Sequence, residues 1–136
     1  MPIVEELIKL EGNGTLSFGN YELEVNSKFD NFMVDGVSYK VKTYNEITKL
    51  EADGKFVYES VPGTSVNGLA MKPDCVIFYV EGNEGAQITL GLDADTEYKV
   101  NVDDTAIGNM TTNISGKLSL SVEFDGRPVK VEVIRK

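Results

Sequence analysis

Short segments in which apolar and polar residues alternate narrow the choice of fold for this chain more than any other feature. In "LSLSVEF", and in the first five residues of "VKVEVIRK", every second residue is apolar, which is typical of a strand with one buried and one exposed face. Turn signals recur between such segments about every eight to twelve residues. The pattern predicts an all-β fold with little helix, an antiparallel β-sandwich or a barrel-like structure.

The C-terminal part of the chain shows this pattern most regularly. Gly and Asp tolerate the positive φ angles of tight hairpin turns, so Asp35-Gly36, Asp103-Asp104 and Ser115-Gly116 are predicted hairpin centres. "YELEV" at 21–25 alternates and is predicted to be a half-buried strand. The predicted C-terminal strands are 76–81, 86–92, 98–102, 107–112, 117–124 and 129–135.

Two segments resemble each other at an offset of 40 residues, "ELIKLEGNGTLSF" at 6–18 and "EITKLEADGKFVY" at 46–58. The turn pairs Asn13-Gly14 and Asp53-Gly54 favour a hairpin in both copies. The alternative for 3–10 and 45–51 is a short helix closed by glycine. Two copies of one unit indicate a duplicated building block.

The alternation is interrupted at "SVPGTSVNG", where Pro62-Gly63 suits the central positions of a type II turn. We therefore predict a boundary between an N-terminal half rich in hairpins, 1–61, and a sandwich-like C-terminal half, 62–136. These are two small β half-domains if each has its own core. The sequence leaves open whether they share one.

The formal charge of −9, from 22 acids and 13 bases, argues against nucleic acid and anionic membranes as partners. The apolar run "CVIFYV" is too short to cross a bilayer, and the N-terminus has no basic and apolar signal pattern. The expected compartment is the cytoplasm, with unconventional export or surface assembly as the alternative. The single cysteine, Cys75, permits no internal disulfide and is predicted to be a buried small hydrophobe.

The chain has no histidine, no tryptophan and two arginines, which removes the usual nucleophile–base pairs and imidazole metal sites. No cofactor is expected. A glycosidase that uses two carboxylates is still compatible with this composition, and Glu59 is then the first candidate. The candidate calcium ligands are Asp93, Asp95, Asp103 and Asp104, although an EF-hand loop would require different residues at its sixth and twelfth positions; the alternative is solvated turn acids.

The stretch "GLDADTEYKVNV" resembles the corner of fibronectin type III domains, in which a leucine precedes a turn and a tyrosine opens the next strand. The resemblance implies that Tyr98 points inward and that its hydroxyl bonds to the backbone of the corner, although Ala94 stands where proline is usual. The C-terminal half also resembles the accessory β-modules of polysaccharide-degrading enzymes. Glycan binding would then use Tyr44, Tyr58 and Tyr79 to stack sugars, with core packing as the alternative.

Together, "GTLSFGNYEL", "YKVKTYNEITKLE", "FVYESVPGT" and "AQITLGLDADTEYKV" resemble a family of small clostridial proteins that commonly carry the label endosialidase. Sialidases resemble one another in an arginine triad and a large propeller. Two arginines cannot form such a triad, and 136 residues cannot form a propeller of about six blades. The chemistry therefore argues against endosialidase activity.

Weighed together, these observations favour a non-catalytic structural or scaffold protein that acts through self-association or through other protein contacts. A glycan-binding accessory module is the alternative, and a glycoside hydrolase fits less well. The expected partner is a second copy of the chain or another protein, and a glycan under the alternative.

Overall fold

The computed structural model describes residues 3–136, and all the regular structure in this range is β-strand. Its thirteen strands are β1 (Ile8–Leu10), β2 (Leu16–Phe18), β3 (Ser27–Val34), β4 (Val37–Tyr44), β5 (Ile47–Ala52), β6 (Lys55–Val61), β7 (Ser65–Met71), β8 (Cys75–Glu81), β9 (Gly85–Gly91), β10 (Glu97–Val102), β11 (Thr105–Thr111), β12 (Lys117–Glu123) and β13 (Val129–Arg135).

The strands form two antiparallel sheets, which confirms the predicted all-β sandwich. Sheet A has the order β1-β2-β7-β8-β13-β10-β11, and sheet B has the order β12-β9-β6-β5-β4-β3. The alternation in the sequence decides which side of each strand meets the core. In β12, for example, Leu118, Leu120 and Val122 are buried while the residues between them are exposed.

One cluster of buried side chains fills the space between the sheets. Near its centre the Tyr58 ring of sheet B makes edge-to-face contacts with Phe18 and Phe78 of sheet A, with ring centroids 5.3 and 5.7 Å apart. Strands from 1–61 and from 62–136 occur in both sheets and contribute to this cluster, so the two ranges share a core. The break at residues 62–64 marks the place where the chain passes from sheet B to sheet A.

The C-terminal strands lie within two residues of their predicted bounds. The repeated segments form the hairpins β1–β2 and β5–β6, so the helix alternative for 3–10 and 45–51 is wrong. At Asp35-Gly36 and at Asp53-Gly54 both turn residues have positive φ, as a tight two-residue hairpin requires. Asp103 and Asp104 likewise form the β10–β11 turn, with φ of 51° and 65°.

The predicted strand at 21–25 is wrong. This segment is irregular: its Tyr21 side chain is buried and bonds to Glu81, and the carbonyl of Leu23 accepts one bond from the Asn45 amide. Val25, assigned to the inner face by the alternation, is 74% exposed. Alternation predicts a strand only where a neighbouring strand completes the ladder of hydrogen bonds, and here none of the thirteen described strands does.

Two predicted turns have different roles from those expected. Gly116 has a φ of 77°, but Ser115-Gly116 connects β11 of sheet A to β12 of sheet B and is not a hairpin centre. Pro62-Gly63 is not a type II turn, because the φ of Gly63 is not positive. Gly63 is needed for space instead, since a Cβ there would lie 1.9 Å from the carbonyl oxygen of Tyr44.

Candidate functional site

The three tyrosines considered for sugar stacking occupy three different environments. Tyr58 is fully buried in the core, where it cannot stack on a sugar; its position is that of core packing, the other interpretation of this residue. Tyr44 lies on the outer face of sheet B, and its hydroxyl donates to Glu46 at 3.4 Å. Tyr79 is 44% exposed on the outer face of sheet A. Tyr44 and Tyr79 therefore face opposite sides of the sandwich and do not form one platform.

Glu59, the glycosidase candidate, lies on β6 with its side chain on the outer face of sheet B. Its cross-strand neighbours are Lys49 on β5 and Thr89 on β9. A second carboxylate does not stand opposite it in either neighbouring strand. The register therefore places Glu59 directly beside a lysine and a hydroxyl.

The four calcium candidates are divided between the two ends of β10. Asp93 and Asp95 lie before the strand and Asp103 and Asp104 after it, with six residues of extended chain, about 20 Å, between them. Asp93 pairs with Arg135, and Asp104 pairs with the Lys130 ammonium at 3.2 Å.

The side chain of Asp103 accepts the Lys130 amide at 3.0 Å, which ties the β10–β11 turn to β13. Within residues 3–136 no group of three His, Cys, Asp or Glu side chains is arranged to hold a metal ion. Asp95, Asp103 and Asp104 lie in turns, and Asp93 lies just before one.

The corner before β10 has the geometry that the fibronectin resemblance implies. Tyr98 is buried, and its hydroxyl accepts a hydrogen bond from the Asp93 amide at 3.2 Å. Leu92 packs against the core. Thr112 Oγ1 accepts the Thr96 amide at 2.9 Å, so the corner is also tied to the segment after β11.

A network of buried hydroxyl groups, which the sequence reasoning did not find, holds the crossing from sheet B to sheet A. Thr64 Oγ1 is 2.8 Å from the Tyr58 hydroxyl and 2.7 Å from Ser60 Oγ. The backbone of Thr64 both donates to and accepts from Thr48 Oγ1, which is 2.8 Å from Thr43 Oγ1. All five residues are fully buried.

This hydroxyl network is structural in its chemistry. Burial raises the pKa of Tyr58 far above its ordinary value, so its phenol stays protonated. Every buried side-chain polar atom of the described residues has a hydrogen-bond partner, and the network is part of that satisfied core. The available sequence signal was the concentration of Ser and Thr around Pro62-Gly63, since buried hydroxyls tend to occur where they can bond to one another.

The surface feature with the clearest capacity for contact is the free edge of sheet A. Strand β11 pairs with β10 on one side, and no strand of residues 3–136 lies on the other. Its sequence, TAIGNMT, contains no charged residue, and all its residues except Met110 are exposed. Ile107 is 46% exposed, and Ile114, just beyond the strand, is 84% exposed.

The other three edges differ from β11. β1 has only three residues, while β3 carries Lys28 and Asp30 and is interrupted by a bulge. β12 has Lys117 and Glu123 at its ends. β11 also contains a bulge, at Ile107, but residues 108–111 run in regular register beside 97–100. Short length, charges and bulges are the usual devices that block strand pairing at an edge. Of the four edge strands, only β11 has no charged residue.

No protein-family model, no curated protein and no solved structure matches this chain. The resemblance to the clostridial family stays an expectation from the sequence. No helix within residues 3–136 has the length and apolar character needed to span a membrane.

Proposed function

We propose that this protein is a non-catalytic structural or scaffold protein that acts by associating with further copies of itself. The observation that carries the proposal is the free, uncharged edge of β11. An unpaired edge presents backbone N–H and C=O groups to solvent, and a strand from another chain satisfies them by extending the sheet.

Electrostatics favours β11 as the place of contact. Two copies that each carry a formal charge of −9 repel each other, and the cost is lowest where the approaching surfaces carry no acid. A two-fold axis is the commonest symmetry of protein dimers, and two β11 strands related by such an axis would pair antiparallel. Such a contact would also bury the exposed side chain of Ile107.

The test is the native mass of the protein, measured by light scattering across a wide range of concentrations, for the natural chain and for Ile107→Lys. A lysine at this position would have to be desolvated in the paired edge, so we expect Ile107→Lys to be monomeric where the natural chain associates. The matched control is Val25→Lys, which makes the same change at an exposed apolar residue outside the sheets.

Val25→Lys should associate as the natural chain does. A natural chain that is monomeric at every concentration contradicts the proposed function. If the natural chain associates and Ile107→Lys associates equally well, self-association is retained and the assignment to β11 is wrong.

A further inference from the structure

Four lysines lie together on the outer face of sheet B. Lys28 of β3, Lys40 and Lys42 of β4 and Lys49 of β5 line a shallow groove of about 170 Å³, and the remaining lining residue is Glu51. The groove carries a formal charge of +3. The whole chain has a formal charge of −9, so the residues outside the groove carry −12. The groove is therefore a positively charged patch on a negatively charged protein.

The strand register places three of these lysines directly opposite one another. Lys28 is the cross-strand partner of Lys42, and Lys42 is the partner of Lys49. Side chains directly opposite in neighbouring strands start about 4.5–5.5 Å apart, and like charges in that position destabilise a sheet. Lys40 is opposite Glu51, which also pairs with Lys49 at 3.5 Å, and Glu59 of β6 is the other cross-strand partner of Lys49. Neither carboxylate lies opposite Lys28 or Lys42.

We propose that the lysine groove binds a tetrahedral oxyanion, a phosphate or sulfate group. Lysine is a compact point charge, and several ammonium groups can approach a tetrahedral anion from different directions. Planar carboxylates are bound best by the paired N–H groups of arginine, and neither Arg127 nor Arg135 lines this groove. The anion would offset the repulsion among Lys28, Lys42 and Lys49.

The acidic surface elsewhere does not prevent this binding. Charges on the solvated surface are screened over about 8 Å at physiological ionic strength, so an anion in the groove responds mainly to the lysines that line it. The inference is independent of the proposed self-association, because the groove lies on the face of sheet B and β11 is the edge of sheet A.

The experiment is a calorimetric titration of the full chain with inorganic phosphate and with inorganic sulfate, at constant ionic strength set by chloride. The variant is Lys42→Gln, which removes the central charge of the row. The matched control is Lys99→Gln, an exposed lysine of β10 in sheet A with Asn109 and Ile134 as its cross-strand partners.

We expect the Kd of Lys42→Gln for phosphate to be about tenfold weaker, as for the loss of one charge-assisted contact, and that of Lys99→Gln to be unchanged. A second readout separates binding from a role in folding. Without phosphate or sulfate at low salt, Lys42→Gln should have a higher Tm than the natural chain, because the repulsion by Lys28 and Lys49 is removed. If Lys42 served only to stabilise the fold, Lys42→Gln would instead have a lower Tm than the natural chain.

Two further titrations identify the source of the anion. If the affinity per phosphate or sulfate group is higher for polyphosphate or dextran sulfate than for the free ions, the ligand is carried on a polymer. If the affinity per group is equal, the ligand is a free ion. Binding of acetate as tightly as phosphate would overturn the assignment to a tetrahedral anion. The absence of measurable phosphate and sulfate binding, or equal binding by Lys42→Gln and the natural chain, would overturn the site.

Discussion

Replacing Thr64 with valine tests whether the buried hydroxyl network holds the crossing between the sheets. Valine keeps the shape of the side chain and removes one hydroxyl group. That hydroxyl is the partner of two buried groups, the Tyr58 hydroxyl at 2.8 Å and the Ser60 hydroxyl at 2.7 Å. The backbone bonds between Thr64 and Thr48 do not involve it and should survive.

The expected loss of unfolding free energy follows from the number of groups left without a partner. A buried polar group that loses its hydrogen bond costs about 1–3 kcal/mol, which gives about 2–6 kcal/mol for two. The side chains of Tyr58 and Ser60 also interact with each other, so one bond can be retained. We therefore expect Thr64→Val to lose about 2–4 kcal/mol.

Tyr58→Phe is the comparison that isolates the mechanism. It removes the other end of one bond and leaves Thr64 Oγ1 bonded to Ser60, so the expected loss is about 1 kcal/mol. The double variant Thr64→Val/Tyr58→Phe should lose less than the two single losses combined, because the tyrosine hydroxyl that valine leaves unpaired is then absent.

The assay is equilibrium unfolding in urea followed by circular dichroism, since the chain has no tryptophan to report by fluorescence. The slope of free energy against urea should be the same for all four proteins. If Thr64→Val loses no more stability than Tyr58→Phe, or if the losses simply add, the hydroxyls are not coupled and the explanation given for this network fails.

Two further predictions concern backbone space and pH. Gly63→Ala should lose at least about 2 kcal/mol of unfolding free energy, because the new Cβ would lie 1.9 Å from the Tyr44 carbonyl oxygen. Gly12→Ala, with nothing within 4 Å, should stay within about 0.5 kcal/mol of the natural chain in the same urea assay. Burial, and then the nearby Glu81, raise the pKa of Tyr21 from 10.0 to about 12, so the folded chain keeps a proton that the unfolded chain releases. This contribution to stability is complete below pH 10.0 and is lost as the pH rises to about 12; urea midpoints measured across that range should fall less steeply for Tyr21→Phe.

The sequence predicted the strands of the C-terminal part well because two requirements coincide there. In β12 the apolar residues of the alternating pattern are the ones that face the core, and a polar turn lies at each end of the strand. At 21–25 the same alternation misled, because Tyr21 is buried by its own contacts and no strand pairs with the segment. Alternation in the sequence predicts which side of an extended segment is apolar. It does not predict whether another strand pairs with that segment.

Local patterns also do not show which strands a turn connects or which side chains become neighbours in a sheet. The glycine in Ser115-Gly116 predicts a turn because glycine readily adopts a positive φ angle. That property does not show which two strands the turn connects. The row formed by Lys28, Lys42 and Lys49 depends on the register of three strands, so adjacent positions in the sheet are far apart in the sequence. Only the pairing of the strands brings these charges together.

The two proposals predict opposite responses to salt, and this makes them separable in one protein. Pairing of β11 edges brings two chains of charge −9 together, so added salt should screen the repulsion and strengthen association. Anion binding by the lysine groove is an attraction between opposite charges, and added salt should weaken it. If both processes weaken with salt, copies associate through attraction between opposite charges and not through the uncharged β11 edge, and the lysine groove, with its charge of +3, is the first contact to test. Lys42→Gln would in that case impair association while Ile107→Lys would not, the reverse of what a paired β11 edge requires.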